Sequence, residues 1–154
     1  VKQIQAIRQS IEGARVLLGR ELVDLYEHVP EFLVAVDEND FVVGAGALHV
    51  MWEDLAEVRS IVVDDSMRGK GIGHLLVEAL IEEARKLGIK RVFCLTFETE
   101  FFAKHGFSEI SDVPVDEQTF QELVRSNDDG VAEFLDLARV KENTLGNTRM
   151  LAII

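Results

Sequence analysis

The chain has 154 residues, of which 47% are hydrophobic and 29% charged, a composition typical of one globular domain with a buried core. Its net charge of −12 argues against a nucleic-acid partner, because phosphate binding needs clustered lysine and arginine side chains. No apolar run approaches the ~20 residues of a membrane-spanning helix, so no membrane partner is expected.

The first half of the chain predicts two short helices, a hairpin, a strand and a longer helix. Apolar residues between Ile4 and Tyr26 recur at helical spacing and are interrupted at Gly13. Alternating and β-branched segments around an acidic turn predict an antiparallel hairpin, and a further strand follows it. These three strands are expected at 32–36, 41–50 and 56–63. From Ile72 the apolar positions form a helical stripe that ends at Gly88.

The second half predicts a strand over 91–97, and a helix connects it to the preceding strand. Such a crossover makes the two strands parallel neighbours. The remaining expected elements are a short helix at 100–105, a strand at 107–110, a helix capped by Asp116, a loop at 127–130 and a last strand at 148–154. Together they predict an α/β fold, a mixed central sheet with helices on both faces.

The most informative segment is a glycine-rich loop between the strand at 56–63 and the helix from Ile72. Glycines at alternate positions, from Gly69 to Gly73, allow a tight turn, and the following helix adds unpaired N–H groups with about half a positive charge. A phosphate or pyrophosphate is the expected ligand. The spacing matches neither a nucleotide P-loop nor a dinucleotide fingerprint, which disfavours ATP and NAD.

The loop residues Arg68, Gly71 and Gly73 resemble the acetyl-CoA loop of the GCN5-related N-acetyltransferases, Arg/Gln-x-x-Gly-x-Gly/Ala. Over nearly its whole length the chain is similar to the short amino-acid N-acetyltransferases of this superfamily, the N-acetylglutamate synthases of bacterial arginine biosynthesis. Three further segments carry that similarity: 56–58, 95–107 and 143–151. The resemblance implies one domain over 1–154 and a splay between the fourth and fifth strands of the family's sheet. Members of the family normally begin with a strand, and none is visible before Val1.

The resemblance also implies a reaction. Acetyl is transferred directly from acetyl-CoA, a co-substrate, to the α-amine of L-glutamate or L-glutamine, and these small molecules are the expected partners; a homodimer is left open. Glu57 matches the family's Ala-Glu-hydrophobic pattern and is the expected general base, acting directly or through water, a role typically worth 10²–10⁴-fold. The alternative for Glu57 is a solvated glutamate at the strand edge.

The resemblance further implies a set of cofactor-binding residues around the loop. Backbone groups at the end of the strand pair with the pantetheine amides, and the loop binds the pyrophosphate. The expected residues are Ile61, Val62, Val63, Arg68, Gly69, Lys70, Gly71, Ile72 and Gly73. Lys70 has an equal alternative as an ordinary exposed lysine.

Glutamate recognition needs cations for two carboxylates, and the arginine fork suits them because it binds in a bidentate manner. Arg20 and Arg149 align with the family pattern as carboxylate-binding residues. Arg59 lies two residues from Glu57, so strand alternation places both side chains on one face. His49 stands where some relatives carry lysine. Each of these residues taken alone has the alternative of an ordinary surface or salt-bridging role.

Several side chains are not assigned to the chemistry. The segment 101–105 lacks the tyrosine that many relatives use as general acid, so the proton source for the CoA thiolate stays open, and Tyr26 is not assigned. Cys94 is expected to be a buried small hydrophobe rather than an acetyl carrier. As the single cysteine, Cys94 permits no internal disulfide, which is typical of a reducing cytoplasm. The histidines lack metal-ligand spacing, so no metal is predicted.

Two alternatives to the leading interpretation stay open. One is an acetyltransferase for another small amine or for a protein N-terminus. The other is a non-catalytic sensor of acyl-CoA or amino acids, which would keep the glycine loop but would have no need of Glu57.

Overall fold

The computed structural model describes residues 1–12, 22–140 and 146–154. In chain order the elements are α1 Lys2–Glu12, α2 Leu22–Glu27, β1 Phe32–Val36, β2 Val42–Trp52, β3 Leu55–Val63, α3 Ile72–Lys86, β4 Arg91–Thr96, α4 Thr99–Ala103, β5 Ser108–Glu109, α5 Glu117–Leu123, α6 Asp129–Phe134 and β6 Thr148–Ile153. Short 3₁₀ turns lie at Val29–Glu31, Asp65–Met67 and Ala138–Val140. None of the helices in these ranges combines the length and the apolar character needed to cross a bilayer.

The six strands form a mixed sheet in the order β1-β2-β3-β4-β6-β5. The predicted hairpin is confirmed, because β1 and β2 pair antiparallel with Phe32 opposite Ala47. The predicted crossover is also confirmed, since β3 and β4 pair in parallel. Their register spans only three residue pairs and ends at Glu57 opposite Phe93, although both strands continue. The family's fourth and fifth strands correspond to β3 and β4, and this short register is what the expected splay requires.

The contacts of the chain group into two compact units, each with its own core. The first unit comprises residues 1–48 and 58–83, and the second comprises 49–57 and 84–154. Ile4 and Ile7 pack with residues of β2 and β3 in the first core. The second core is built around Phe93 and Phe134, whose rings meet edge to face with centroids 5.3 Å apart. The single domain expected from the sequence stays a prediction.

In the first unit, two glycines of β2 allow α3 to pack closely. A Cβ atom on Gly44 would lie 3.0 Å from side-chain atoms of both Ile72 and Leu76, and one on Gly46 would lie 2.5 Å from Ile61. A larger residue at either position would therefore push against α3 or β3. The close packing fixes the start of α3, which is the end of the glycine loop.

Two predicted helix ends are confirmed. The Asp116 side chain accepts a hydrogen bond from the Thr119 amide at 2.7 Å and caps α5. At the end of α3, Gly88 has a φ of 81°, and the Ile89 amide reaches back to the Ala84 carbonyl at 3.0 Å. That arrangement satisfies the last carbonyls of the helix. The expected break at Gly13 lies outside the described residues.

The prediction of a loop at 127–130 is wrong in part. Asp128 is an N-cap whose side chain accepts from the Val131 amide at 3.1 Å, and α6 begins at Asp129. The Asn-Asp-Asp-Gly sequence has the composition of a turn, and six residues are too few to form a stable helix alone. Burial of Phe134 and its apolar neighbours stabilises α6 instead.

Candidate active site

The glycine loop begins where β3 ends. The Asp64 amide donates to the Val43 carbonyl at 2.8 Å, and the Asp64 carboxylate accepts from the amide of Ser66 at 3.0 Å and from its hydroxyl at 2.5 Å. These hydrogen bonds lower the pKa of the Asp64 carboxyl. Arg68 is exposed, and its Nε lies 2.9 Å from Asp65 Oδ1. The loop is thus held by its own acidic residues, and a ligand phosphate would compete with Asp65 for the Arg68 guanidinium.

The backbone of the loop has the conformation that an anion site needs. Gly69 and Gly71 have φ angles of 77° and 79°, which a residue with a side chain adopts only with strain. The Leu75 amide donates to the Gly71 carbonyl at 3.1 Å and starts the first turn of α3. The amides of Ile72 and Gly73 precede that bond, so they have no carbonyl partner within the helix. The backbone is therefore suited to bind a phosphate group.

The two basic side chains of the loop contribute differently. Arg68 can turn its guanidinium toward a phosphate, since it is exposed. The Lys70 ammonium lies 3.7 Å from Met67 Sδ and is also exposed. Both alternatives for Lys70 remain open.

The end of β3 departs from a regular strand just before the residues expected to contact pantetheine. Ser60 has a φ of 58°, which is uncommon for a residue other than glycine. The following residues differ in burial: Val62 is buried, whereas Ile61 and Val63 are partly exposed. In the described part of the chain, the β3–β4 register ends at Glu57, before Ile61 is reached. The predicted backbone pairing with pantetheine uses this last part of β3.

Glu57 is a buried carboxylate in the second unit. The residue is 5% exposed, which excludes the alternative of a solvated glutamate at the strand edge. Its carboxylate lies against the first turn of α6: a Cβ atom built on Gly130 would be 2.0 Å from Glu57 Oε2. The base role predicted for Glu57 stays a prediction, and its surroundings show what would act with it.

Glu133 is a second buried acid in this region, and the sequence analysis did not single it out. It lies three residues after Gly130, so the two occupy the same face of α6. Burial, together with the charges of Glu57 and Asp129, raises the pKa of the Glu133 carboxyl to about 7, while the Arg149 guanidinium acts in the opposite direction. An acid within the apolar run Val-Ala-Glu-Phe was the signal that could have identified it.

His49 and Asp128 also lie near the first turn of α6, where the Glu57 carboxylate is found. His49 Nε2 lies 3.7 Å from Asp128 Oδ2, and both side chains are mostly buried. The other carboxylate oxygen of Asp128 caps α6 and lies 3.0 Å from the Cβ position of Gly130. The structure therefore brings His49, predicted for substrate binding, to the same helix turn as Glu57.

Arg149 has contacts that the sequence did not suggest. Its Nε donates to the Glu133 carbonyl at 3.0 Å, and its Nη2 donates to the Asp112 carbonyl at 3.1 Å and to the Phe134 carbonyl. Burial lowers the pKa of the guanidinium, and the nearby charges of Asp136, Asp112 and Glu133 oppose that effect. Arg149 thus holds the end of α6, and its role in substrate binding stays a prediction.

The other two predicted arginines are Arg59 and Arg20. Arg59, in the first unit, has its Nη2 4.0 Å from Glu31 Oε2, and its side chain is mostly buried. Arg20 lies outside the described residues. Their assignment to substrate carboxylates stays a prediction.

The residues left out of the chemistry differ in burial. Cys94 is buried, as predicted, and burial with the negative charge of Glu57 raises the pKa of its thiol. A thiolate at this position is therefore disfavoured. Phe102 is buried and packs edge to face on Phe107 with centroids 5.3 Å apart. Tyr26, in α2, is largely exposed.

Within the described ranges, one side-chain group has a spacing compatible with a metal. Ligand atoms of Asp24, Glu27 and His28 lie within 4.8 Å of one another, although the histidines show no ligand spacing along the sequence. His28 Nδ1 is 2.8 Å from the Asp24 carbonyl, so the histidine is engaged at the end of its own helix. Such partly exposed acidic groups are common without an ion, and we assign no metal to it.

Comparisons with known proteins agree with this description. The model of the Acetyltransferase (GNAT) family matches residues 6–107. An amino-acid acetyltransferase of Mycobacterium tuberculosis is 53% identical over 98% of this chain and 89% of that protein. The crystal structure of Rv2747 from the same organism, in complex with CoA, has a TM-score of 0.91 at 52% identity and covers 99% of this chain and 95% of that one.

A more distant structure supports the fold alone. N-acetylglutamate synthase from Neisseria gonorrhoeae, complexed with coenzyme A and N-acetyl-glutamate, has a TM-score of 0.76 at 22% identity and covers 99% of this chain and 32% of that one. The expected GCN5-related acetyltransferase fold is confirmed by the family match and the close structure. The chain belongs to the acetyltransferase (GNAT) family.

Proposed function

We propose that this protein transfers acetyl from acetyl-CoA to the α-amine of L-glutamate, with L-glutamine as a further substrate, and that Glu57 is the general base. The observation that carries the proposal is that one strand, β3, contains the candidate base and leads directly into the candidate cofactor loop. Near its start lies the buried acid Glu57, and directly after its last residue, Val63, comes the glycine loop. The 53%-identical relative is named an amino-acid acetyltransferase, which supports the same substrate class.

Acetyl-CoA binding is supported by the loop geometry. Gly69 and Gly71 can approach an anion closely, and the first turn of α3 offers amides without helical partners. Rv2747, which is 52% identical, was solved in complex with CoA. The pyrophosphate would bind at this loop, and backbone groups of Ile61 and Val63 would pair with the pantetheine amides. A preorganised amide in this strand can supply ~3 kcal/mol to the developing oxyanion.

The acidic surroundings of Glu57 suit the amine of the substrate. An amino acid arrives mostly as an ammonium ion at neutral pH, and buried carboxylates attract it. The pKa of Glu133 is raised to about 7 first by burial and then by the negative charges of Glu57 and Asp129, so part of the shift reflects the acidic surroundings. Glu57 would accept the ammonium proton, and the neutral nitrogen would attack the thioester carbonyl carbon. As the C–S bond breaks, the nitrogen gives up its second proton and the CoA thiolate takes up one, which completes the amide and the free thiol; the group that carries this proton is not assigned.

A second candidate, an acetyltransferase for another small amine, is favoured by one observation. The guanidinium of Arg149 donates to three backbone carbonyls, and that of Arg59 lies beside Glu31. Neither arginine offers a substrate carboxylate its full donor set in this arrangement. A basic amine would need no such cation and would be attracted by the net charge of −12.

Thiol release from acetyl-CoA, measured across the amino acids and a set of small amines, tests the proposal. We expect release to depend on L-glutamate or L-glutamine, with the acetyl group recovered on the α-amine. Release that depends only on a diamine or polyamine would support the second candidate. Acetyl-CoA binding without release for any acceptor would instead indicate a sensor.

The cytoplasmic location expected from the sequence stays a prediction.

A further inference from the structure

The first turn of α6 leaves an opening that the Glu57 carboxylate occupies. A Cβ atom on Gly130 would lie 2.0 Å from Glu57 Oε2 and 2.9 Å from Glu57 Cδ, and real Cβ contacts essentially never fall under 3.0 Å. The carboxylate therefore takes the space that any other side chain at this position would fill.

The backbone at Gly130 does not itself require glycine. Gly130 is the second residue of α6 and is absent from the described residues with positive φ. Inside a helix, glycine is less favourable than alanine by roughly 0.5–1 kcal/mol. Glycine at this position thus carries a local cost, and the close approach of the Glu57 carboxylate is the feature that leaves no room for a side chain there.

The Glu57 backbone is fixed in the sheet, so a clash at position 130 has to be relieved by movement of the side chain of this residue. Glu57 is buried within β3, and its strand neighbours Ala56 and Val58 are buried as well. On the β4 side its backbone is in register with Phe93, which is fully buried. An alanine at position 130 would have to displace the carboxylate by about 1.4 Å to reach ordinary van der Waals contact at 3.4 Å. A misplacement of about 1 Å can cost roughly 10²-fold in rate.

We propose that Gly130 is a positioning residue for the reaction: by having no side chain, it sets where the Glu57 carboxylate lies. This inference rests on the proposed function, in which Glu57 is the base. Gly130 acts through Glu57 and not on the cofactor, so its effect belongs to kcat and not to acetyl-CoA binding.

The test is a double-mutant cycle between Gly130→Ala and Glu57→Gln, measured as kcat, with acetyl-CoA affinity measured in parallel. We expect Gly130→Ala to lower kcat by roughly 10–100-fold and to leave acetyl-CoA affinity unchanged. In the Glu57→Gln background there is no base to displace, so the same change should have almost no further effect. Gln118→Ala, an exposed substitution at the second position of α5, is the control and should leave kcat unchanged.

A stability measurement separates a steric effect at Glu57 from general damage. Glu57→Asp shortens the side chain by one methylene and frees space beside position 130. Adding Gly130→Ala to Glu57→Asp should therefore leave the unfolding temperature unchanged or raise it, because alanine favours the helix. This measurement remains informative even where Gly130→Ala alone folds poorly.

The outcomes distinguish the two proposals. Full kcat in Glu57→Gln would overturn the base assignment, and the positioning inference with it. A low kcat in Glu57→Gln together with normal kcat in Gly130→Ala would overturn only the positioning role. An equal loss from Gly130→Ala in both backgrounds, or an equal drop in unfolding temperature with and without Glu57→Asp, would also overturn it, because the effect would not pass through Glu57.

Discussion

Replacing Glu133 by glutamine should change how the stability of the protein depends on pH. The folded-state pKa of Glu133 is raised from the ordinary 4.5 to about 7 by burial and by the charges of Glu57 and Asp129. Between these two values the folded protein keeps a proton that the unfolded chain has released. Stability contributed by this group is therefore present below about pH 4.5 and is lost as pH rises toward 7.

The size of the effect follows from the pKa difference. A shift from 4.5 to about 7, at about 1.4 kcal/mol for each pH unit, corresponds to roughly 3 kcal/mol. Solvent near the Glu133 carboxylate screens the charges around it, so roughly 3 kcal/mol is an upper bound. Glutamine matches the shape of the neutral acid and does not titrate. Glu133→Gln should thus equal the wild type near pH 4 and exceed its unfolding free energy at pH 8 by at most roughly 3 kcal/mol, which corresponds to at most about 6–12 °C in Tm.

Chemical and thermal unfolding of both proteins at half-unit steps from pH 4 to 8.5 measures the difference directly, because the other titrating groups largely cancel. Glu78→Gln, at an exposed position of α3, makes the same charge change and should alter stability little at any of these pH values. In a Glu57→Gln background the gain from Glu133→Gln should shrink, since the Glu57 charge is one cause of the shift. A constant difference between Glu133→Gln and wild type across the whole range would refute the reasoning.

The remaining predictions concern ligand binding and rate. Gly71→Val forces a side chain onto a backbone with a φ of 79° and should weaken acetyl-CoA binding, measured by calorimetry. Glu57→Gln should lower kcat by roughly 10²–10⁴ with little change in acetyl-CoA affinity, and its pH profile should keep only the ionisation of the substrate amine. Arg20→Ala and Arg149→Ala should each raise the KM for glutamate by roughly 10-fold or more; Arg149→Ala should also lower stability, because three carbonyls lose a donor.

A specific result would contradict each of these predictions. Unchanged acetyl-CoA affinity in Gly71→Val would contradict the proposal that the pyrophosphate binds at the glycine loop. Near-full kcat in Glu57→Gln would mean that solvent takes the amine proton. Glutamate kinetics that do not respond to either arginine substitution would leave Arg59 and His49 as the next candidates to hold the acid.

The elements that follow from local chemistry were predictable from the sequence. The hairpin of β1 and β2, the N-cap Asp116 and the glycine end of α3 at Gly88 each depend on residues close together in the chain. The glycine loop belongs to the same class, because strand, alternate glycines and helix are contiguous. Its positive φ angles at Gly69 and Gly71 need no distant contact to be foreseen.

The surroundings of Glu57 were decided only by the tertiary structure. Helix α6 is too short to be stable alone, and Phe134, packed against Phe93, stabilises it. Gly130 and Glu133 lie in α6, more than 70 residues beyond Glu57 in the sequence. No local pattern links either residue to Glu57.

The contacts of Arg149 have the same origin. They go to backbone carbonyls, which every residue carries, so a sequence cannot name them. The chain alone therefore determined the cofactor loop and singled out the candidate base. The packing of the six-residue helix α6 decided which residues surround the Glu57 carboxylate. Burial of a group, and its interaction with charges distant in sequence, exist only after the chain has folded.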